Sequence, residues 1–130
     1  MSGNEKIQKF LKSPAFGVVG ASDNPEKFGY KVYKTYLRHG MKAYPVNTRL
    51  EKIEGNPVYK TLATLPEKVE AISVITPPPV TDQVVDEAIA SGVKHIWMQP
   101  GAESQTAIEK AEKAGINVIH GGPCILIELG

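Results

Sequence analysis

Short runs of consecutive apolar residues alternate along this chain with longer stretches in which apolar positions recur every three or four residues. The runs are AFGVVG from Ala15, MKAYPV from Met41, AISVI from Ala71, HIWM from His95 and NVIH from Asn117. Each has the length of a strand and too little polar alternation for a half-exposed sheet, so five buried strands are predicted. Between them, Tyr30, Tyr33 and Leu37 with Val32 and Tyr36 form one helical stripe closed by His39 and Gly40. Val84, Val85, Ala88 and Ile89 form a second, closed by Gly92. Ala107, Ile108, Ala111 and Ala114 form a third, opened by Ser104 and closed by Gly115. Ahead of the first strand, Ser2 and Glu5 stand at capping-box spacing, Ile7, Phe10 and Leu11 share a face, and Pro14 stops the pattern, which predicts a short amphipathic helix. Strands alternating with helices call for right-handed crossovers and a parallel sheet. The expected class is α/β: a Rossmann-like, doubly wound, five-stranded parallel sheet with helices on both faces. Residues 47–69 break the rhythm; a loop is expected there, with a short extended piece at Pro57–Tyr59 and a single turn around Pro66–Lys68.

At 130 residues the chain fits a single domain, residues 1–130, whose core needs no disulfide or metal. Fifteen basic residues against fourteen acidic ones give a formal charge of +1, which provides no electrostatic basis for binding nucleic acid or a membrane surface. One cysteine, Cys124, and no apolar run of membrane-spanning length fit a reducing, cytoplasmic setting. Three scattered histidines and that cysteine offer no zinc-ligand spacing, so no metal is expected.

In an open parallel sheet a ligand lies outside the carboxyl ends of the strands, where strand order reverses. The residues there are Gly20, Ala21 and Ser22 after the first strand, Asn47, Thr48 and Arg49 after the second, and Thr76, Pro77, Pro78 and Pro79 after the third. Gln99, Pro100 and Gly101 follow the fourth, and Gly121, Gly122, Pro123 and Cys124 the fifth. The first loop has phosphate chemistry: Gly20 permits close backbone approach, Ser22 offers a hydroxyl, and Gly29 opens a helix with free amides. The same residues also suit a plain strand-to-helix turn. A site for an unphosphorylated ribose would place Asp or Glu after the second strand, whereas Arg49, aided by Lys27 or Lys31, suits a phosphorylated one. The three prolines are expected to form a rigid apolar wall before a helix beginning near Thr81.

Taken together, VVGAS, YPVN, VITPPP, WMQPG and GGPC, in this order from Phe16 onward, resemble the small stand-alone CoA-binding domain proteins, which are similar to the CoA-binding N-terminal domain of the succinyl-CoA synthetase alpha subunit. The resemblance implies coenzyme A held across the carboxyl edge. Gly20, Ala21 and Ser22 would meet the pyrophosphate or adenosine, Asn47 and Arg49 the phosphorylated ribose, Thr76–Pro78 the adenine or pantetheine, and Gln99–Gly101 the pantetheine arm. The full binding set then comprises Gly20, Ala21, Ser22, Lys27, Gly29, Tyr30, Lys31, Asn47, Thr48, Arg49, Thr76, Pro77, Pro78, Gln99, Pro100, Gly101 and Cys124. The synthetase family carries its phosphorylated histidine in a further domain, so ligase activity is not carried over.

No residue is assigned a catalytic role. Tyr30 and Lys34 stand at Y-x-x-x-K spacing, but on the first helix of the sheet and without the glycine-rich loop such a pair needs. His120 ends a strand with no acid or nucleophile nearby in sequence. Cys124, near the start of the last helix, is either a small buried core residue or a thiol placed for a mixed disulfide with CoA, an acyl-CoA or a CoA disulfide being the other ligand forms. The alternatives are an NADP-dependent enzyme using the same crevice and a CoA-site subunit of a split acyl-CoA ligase. The expected assembly is a homodimer or a complex with such a ligase subunit.

Overall fold

The computed structural model describes residues 3–129. Ser2, the proposed cap of the first helix, lies outside the described residues. In chain order the elements are α1 (Gly3–Leu11), β1 (Phe16–Val19), α2 (Phe28–Arg38), β2 (Ala43–Val46), β3 (Lys52–Ile53), β4 (Asn56–Pro57) and a 3-10 turn (Leu62–Thr64). There follow β5 (Ala71–Val74), α3 (Pro78–Ala90), β6 (His95–Met98), α4 (Gln105–Lys113), β7 (Asn117–Ile119) and α5 (Ile125–Leu129).

The five expected strands form one parallel sheet in the order β2-β1-β5-β6-β7. Every residue of β1 and β5 is buried, which is why these strands read as unbroken apolar runs: helices cover them on both sides. One face carries α1, α2 and α5, where Phe10, Phe16, Tyr36, Trp97 and Ile125 pack together. The other carries α3, α4 and the 3-10 turn, with Leu62, Ile72, Val85, Ile96 and Ile108 among its core. A buried hydrogen bond between the Tyr36 hydroxyl and Ser73 Oγ (2.6 Å) ties α2 to the central strand. Burial pushes the Tyr36 phenol well above its ordinary pKa. The helix cap expected at Ser104 is present: its side chain accepts from the Ala107 amide.

Two expectations for the connection after β2 need correction. Residues 52–57 form an antiparallel hairpin, its tip turning through Glu54 (φ 50) and Gly55 (φ 85), the positive angles of a tight two-residue loop. The helical turn lies at Leu62–Thr64 rather than at Pro66–Lys68, because Leu62 is the apolar residue that reaches the core. Between them Tyr59 lies alongside β2: its amide donates to Pro45 O and its carbonyl accepts from the Asn47 amide, both at 3.0 Å. The segment wraps around the sheet edge, burying Ile53 with the α2 side and Leu62 with the α3 side. A third correction concerns α3, which starts at Pro78, with prolines in its first turn where no intrahelical amide is needed.

At the amino edge of the sheet, Asn117 Nδ2 lies 3.0 Å from His95 Nδ1 and donates to Lys6 O at 3.1 Å. With that nitrogen donating, Nδ1 is the acceptor and the ring is neutral. Burial holds the imidazole pKa below its ordinary value, opposed by Glu70 and assisted by Lys94 and Lys9. The unfolded chain therefore binds more protons than the folded one just below about pH 6.5. Stability is complete above that pH and falls as pH drops through the depressed folded-state value. Between about pH 7.5 and 5.5, above the range where carboxylates titrate (about 4.3), the thermal midpoint should fall, and His95→Gln should flatten the slope; parallel slopes would refute the assignment.

Candidate functional site

Strand order reverses between β1 and β5, and there a cavity of about 650 Å³ opens. It falls within the size range of sites that enclose a small molecule or cofactor. Three strand ends form its floor: Gly20 after β1, Asn47–Arg49 after β2, and Ile75–Pro77 after β5. Val80 and Val84 of α3 and Leu62 of the 3-10 turn give it an apolar wall.

The floor depends on backbone groups packed without intervening side chains. Gly20 has φ +98, and a Cβ there would lie 2.2 Å from the Ile75 carbonyl oxygen. Gly29, in the first turn of α2, is pressed on the same loop; a Cβ on it would lie 2.1 Å from Gly20 O. Both glycines thus allow β1, the exit of β5 and α2 to converge. The Gly20 amide donates to Val46 O (3.0 Å) and the Ile75 amide to Val19 O (2.8 Å), which extends the ladder to the cavity rim. Helix α2 has Lys27 at its N-cap position with no side-chain cap, so no capping side chain engages the first-turn amides, the kind of group that binds anions at helix starts.

The polar lining is unequal in sign. Lys27, Arg49 and Lys60 reach the cavity, and Glu87 is the one carboxylate among its lining residues. Glu87 accepts a short hydrogen bond from the Leu62 amide, which fixes the 3-10 turn to α3. Asn47 is doubly engaged: Nδ2 donates to Ala21 O (2.8 Å) and Oδ1 accepts from the Arg49 amide (2.7 Å). It therefore joins the loops after β1 and β2 and sets the turn that carries Arg49. Thr76 Oγ1 is paired with Thr81 Oγ1 at 2.7 Å.

Of the residues singled out from sequence, the cavity brings together Gly20, Lys27, Asn47, Thr48, Arg49, Thr76 and Pro77. Others lie elsewhere. Ser22 Oγ accepts from the Asn24 amide (3.1 Å), shaping its own loop, and Ala21 is buried. Tyr30 donates to Glu54 at 2.6 Å; hydrogen bonds from Lys34 and then Tyr30 hold the Glu54 carboxyl below its ordinary range, so this tyrosine clasps the hairpin. Lys31 is an exposed residue of α2, and Pro78 is exposed in the first turn of α3. Gln99 is fully buried. Its Oε1 accepts from the Ile125 amide (3.0 Å), while Nε2 has no partner among the described residues. Pro100 and Gly101 are exposed beyond it, the Gly101 amide donating to Glu103 (2.8 Å). Cys124 is half-buried immediately before α5, its carbonyl accepting from Ile127 and Glu128. His120 lines a separate depression with Lys6 and Val118.

Lys60, Leu62, Val80, Gln83, Val84 and Glu87 were not foreseen. They come from the irregular segment and from α3, whose apolar stripe signalled core but not which end of it would face a ligand. No group of acidic, histidine or cysteine side chains suited to a metal occurs among the described residues, and none of the described helices is long and apolar enough to cross a membrane.

A parallel sheet whose strand order reverses beside a cavity, with helices on both faces, defines a doubly wound, Rossmann-like class of fold. Residues 15–130 match the CoA binding domain family, and the chain belongs to that family. The alpha subunit of ADP-forming acetate–CoA ligase II from Pyrococcus furiosus is 31% identical over 117 residues, covering 88% of this chain and 26% of that subunit. The corresponding ligase I subunit is 30% identical over 135 residues, covering 92% of this chain and 29% of its own length. This chain thus spans between a quarter and a third of those relatives. A hypothetical protein from Pyrococcus horikoshii superposes with a TM-score of 0.91 at 29% identity, covering 98% of this chain and 89% of that one, in the same Rossmann-like fold.

The convergence at Gly20 yields a stability prediction. Gly20→Ala combines a disfavoured backbone angle with a clash against the Ile75 carbonyl, and should cost at least about 2 kcal/mol in urea unfolding. Gly40→Ala, where a Cβ has open space but φ is also positive (+68), should cost about 1–2 kcal/mol. Equal losses at the two positions would contradict the close-packing argument.

Proposed function

We propose that this chain binds coenzyme A across the carboxyl edge of its sheet as one CoA-binding unit spanning residues 1–130. The observation that carries the reading is the cavity at the strand reversal, which is lined by three cations, Lys27 at the N-cap of α2 among them, and by one carboxylate already engaged by a backbone amide. Coenzyme A bears a pyrophosphate and a 3'-phosphate, and a surplus of fixed positive charge matches both. The adenosine lies against Val80, Val84 and Leu62, the pyrophosphate at Gly20 and the start of α2, and the phosphorylated ribose beside Arg49. The pantetheine arm runs over the end of β6 towards Cys124. Gln99 anchors the Ile125 amide at the end of β6, which keeps Cys124, the preceding residue, at the same sheet edge.

On this arrangement the Cys124 thiolate attacks a sulfur of a CoA disulfide, forms a protein–CoA mixed disulfide and releases one CoA thiolate, with no separate oxidant required. The low cysteine content fits a reducing compartment such as the cytoplasm. A second role follows from the relatives, in whose ligase alpha subunits a matching region occurs: the chain supplies the CoA site to ligase domains on another polypeptide.

Thermal shift with CoA, dephospho-CoA, NAD and NADP in parallel tests the reading. The largest stabilisation is expected with CoA, and Arg49→Ala should weaken CoA binding by about tenfold or more, the loss of one charge-assisted contact. A shift with NADP alone would replace this reading with the NADP-dependent one. For thiol exchange, intact mass after incubation with CoA disulfide should show one CoA adduct on the wild type and none on Cys124→Ser; an equal adduct on both would remove Cys124 from the mechanism.

A further inference from the structure

Lys60 follows the hairpin, in the part of the chain whose pattern predicts least. Its neighbour Tyr59 extends the sheet along β2, the Asn47 amide donating to the Tyr59 carbonyl at 3.0 Å. This holds Lys60 beside the end of β2, the position from which this class of fold reads the ribose of a nucleotide. Lys60 Nζ donates to Leu50 O at 3.0 Å, across the loop that carries Thr48 and Arg49, and the side chain lines the same cavity as Arg49. An ammonium has three donors. One is committed to Leu50 O, which leaves the group oriented with two to offer.

Among the described residues Lys60 has no salt-bridge partner. The described ion pairs are Lys34–Glu54, Lys42–Glu67, Lys94–Glu70 and Lys110–Asp86. Glu87, the carboxylate of this cavity, accepts from the Leu62 amide. The positive charge of Lys60 is thus set at the cavity beside that of Arg49 without an ion-paired carboxylate.

We propose that Lys60 is a specificity-determining residue that, with Arg49, selects a ligand whose ribose carries a phosphate over the same ligand without it. The inference rests on the reading of the cavity as a CoA site. Its bond to Leu50 O gives Lys60 a further, structural task, holding the Arg49 loop in place, and the two tasks are separable by ligand.

The experiment is titration calorimetry of the full chain with CoA and with dephospho-CoA, for the wild type, Lys60→Gln and Lys60→Arg. The wild type should prefer CoA. Lys60→Gln should lower CoA affinity by about tenfold and change dephospho-CoA affinity by less than about twofold. Lys60→Arg should restore most of the preference, and raising the salt concentration should weaken CoA binding more in the wild type than in Lys60→Gln. Equal weakening of both ligands would leave Lys60 with the loop-holding task alone and overturn the proposal, as would an unchanged preference in Lys60→Gln. A wild type that binds both ligands equally overturns the Lys60 assignment while leaving the CoA reading intact; a wild type that binds neither overturns both.

Discussion

Backbone groups meet directly at the strand reversal, and the rest of the structure is arranged around that contact. The loop after β1 touches the exit of β5 through Gly20 and the first turn of α2 through Gly29, at distances that leave no room for a side chain on either residue. This contact lets the amino end of α2 pack on the loop after β1, and so brings Lys27, at its N-cap, to the cavity. It also explains why Ser22, two residues on, is free to shape its own loop: the geometry is already set by the backbone.

Around this fixed point the cavity is built from parts of unequal rigidity. The floor belongs to the central parallel ladder, with its continuous hydrogen bonding and apolar burial on both faces. The apolar wall belongs to α3, held on α4 through hydrogen bonds from Ser104 and Thr106 to Asp82. The cationic rim comes mostly from the irregular connection after β2, fixed by individual bonds: Tyr59 to Pro45 and Asn47, Asn47 to Ala21, Lys60 to Leu50 and Leu62 to Glu87. On the far side, Gln99 spends its carbonyl oxygen anchoring α5 inside the molecule.

The sheet was legible because each of its strands is a short apolar run bounded by glycine or polar residues, and each long helix has an apolar stripe with a stop signal. Arg49 and Asn47 could be placed because strand ends in a parallel sheet share one edge. Lys60 could not, since its location depends on a hairpin of two-residue strands turned by Glu54–Gly55 and on a single bridge at Tyr59. Such elements are too short to leave a periodic signature, and a glutamate in the left-handed region is not a residue that announces a turn. The prolines misled in the opposite direction: they read as a wall before the helix, yet Pro78 and Pro79 tolerate its first turn and leave the wall to Val80 and Val84. Tyr30 was near the loop in sequence, but helical geometry turned its hydroxyl to Glu54.

The segment that wraps the sheet edge has a consequence for how the molecule opens. A crossover made of a full helix would be released only with the core, whereas residues 47–65 are held by a small set of separate bonds and a few buried side chains, chiefly Ile53, Val58 and Leu62. Their amides should fall at the low end of the protein's opening free energies, exchanging by local opening while β1, β5 and β6 stay closed. An anion bridging the segment to the first turn of α2 would raise that opening energy. Ligand occupancy and the protection of one sheet edge are then two readouts of a single equilibrium.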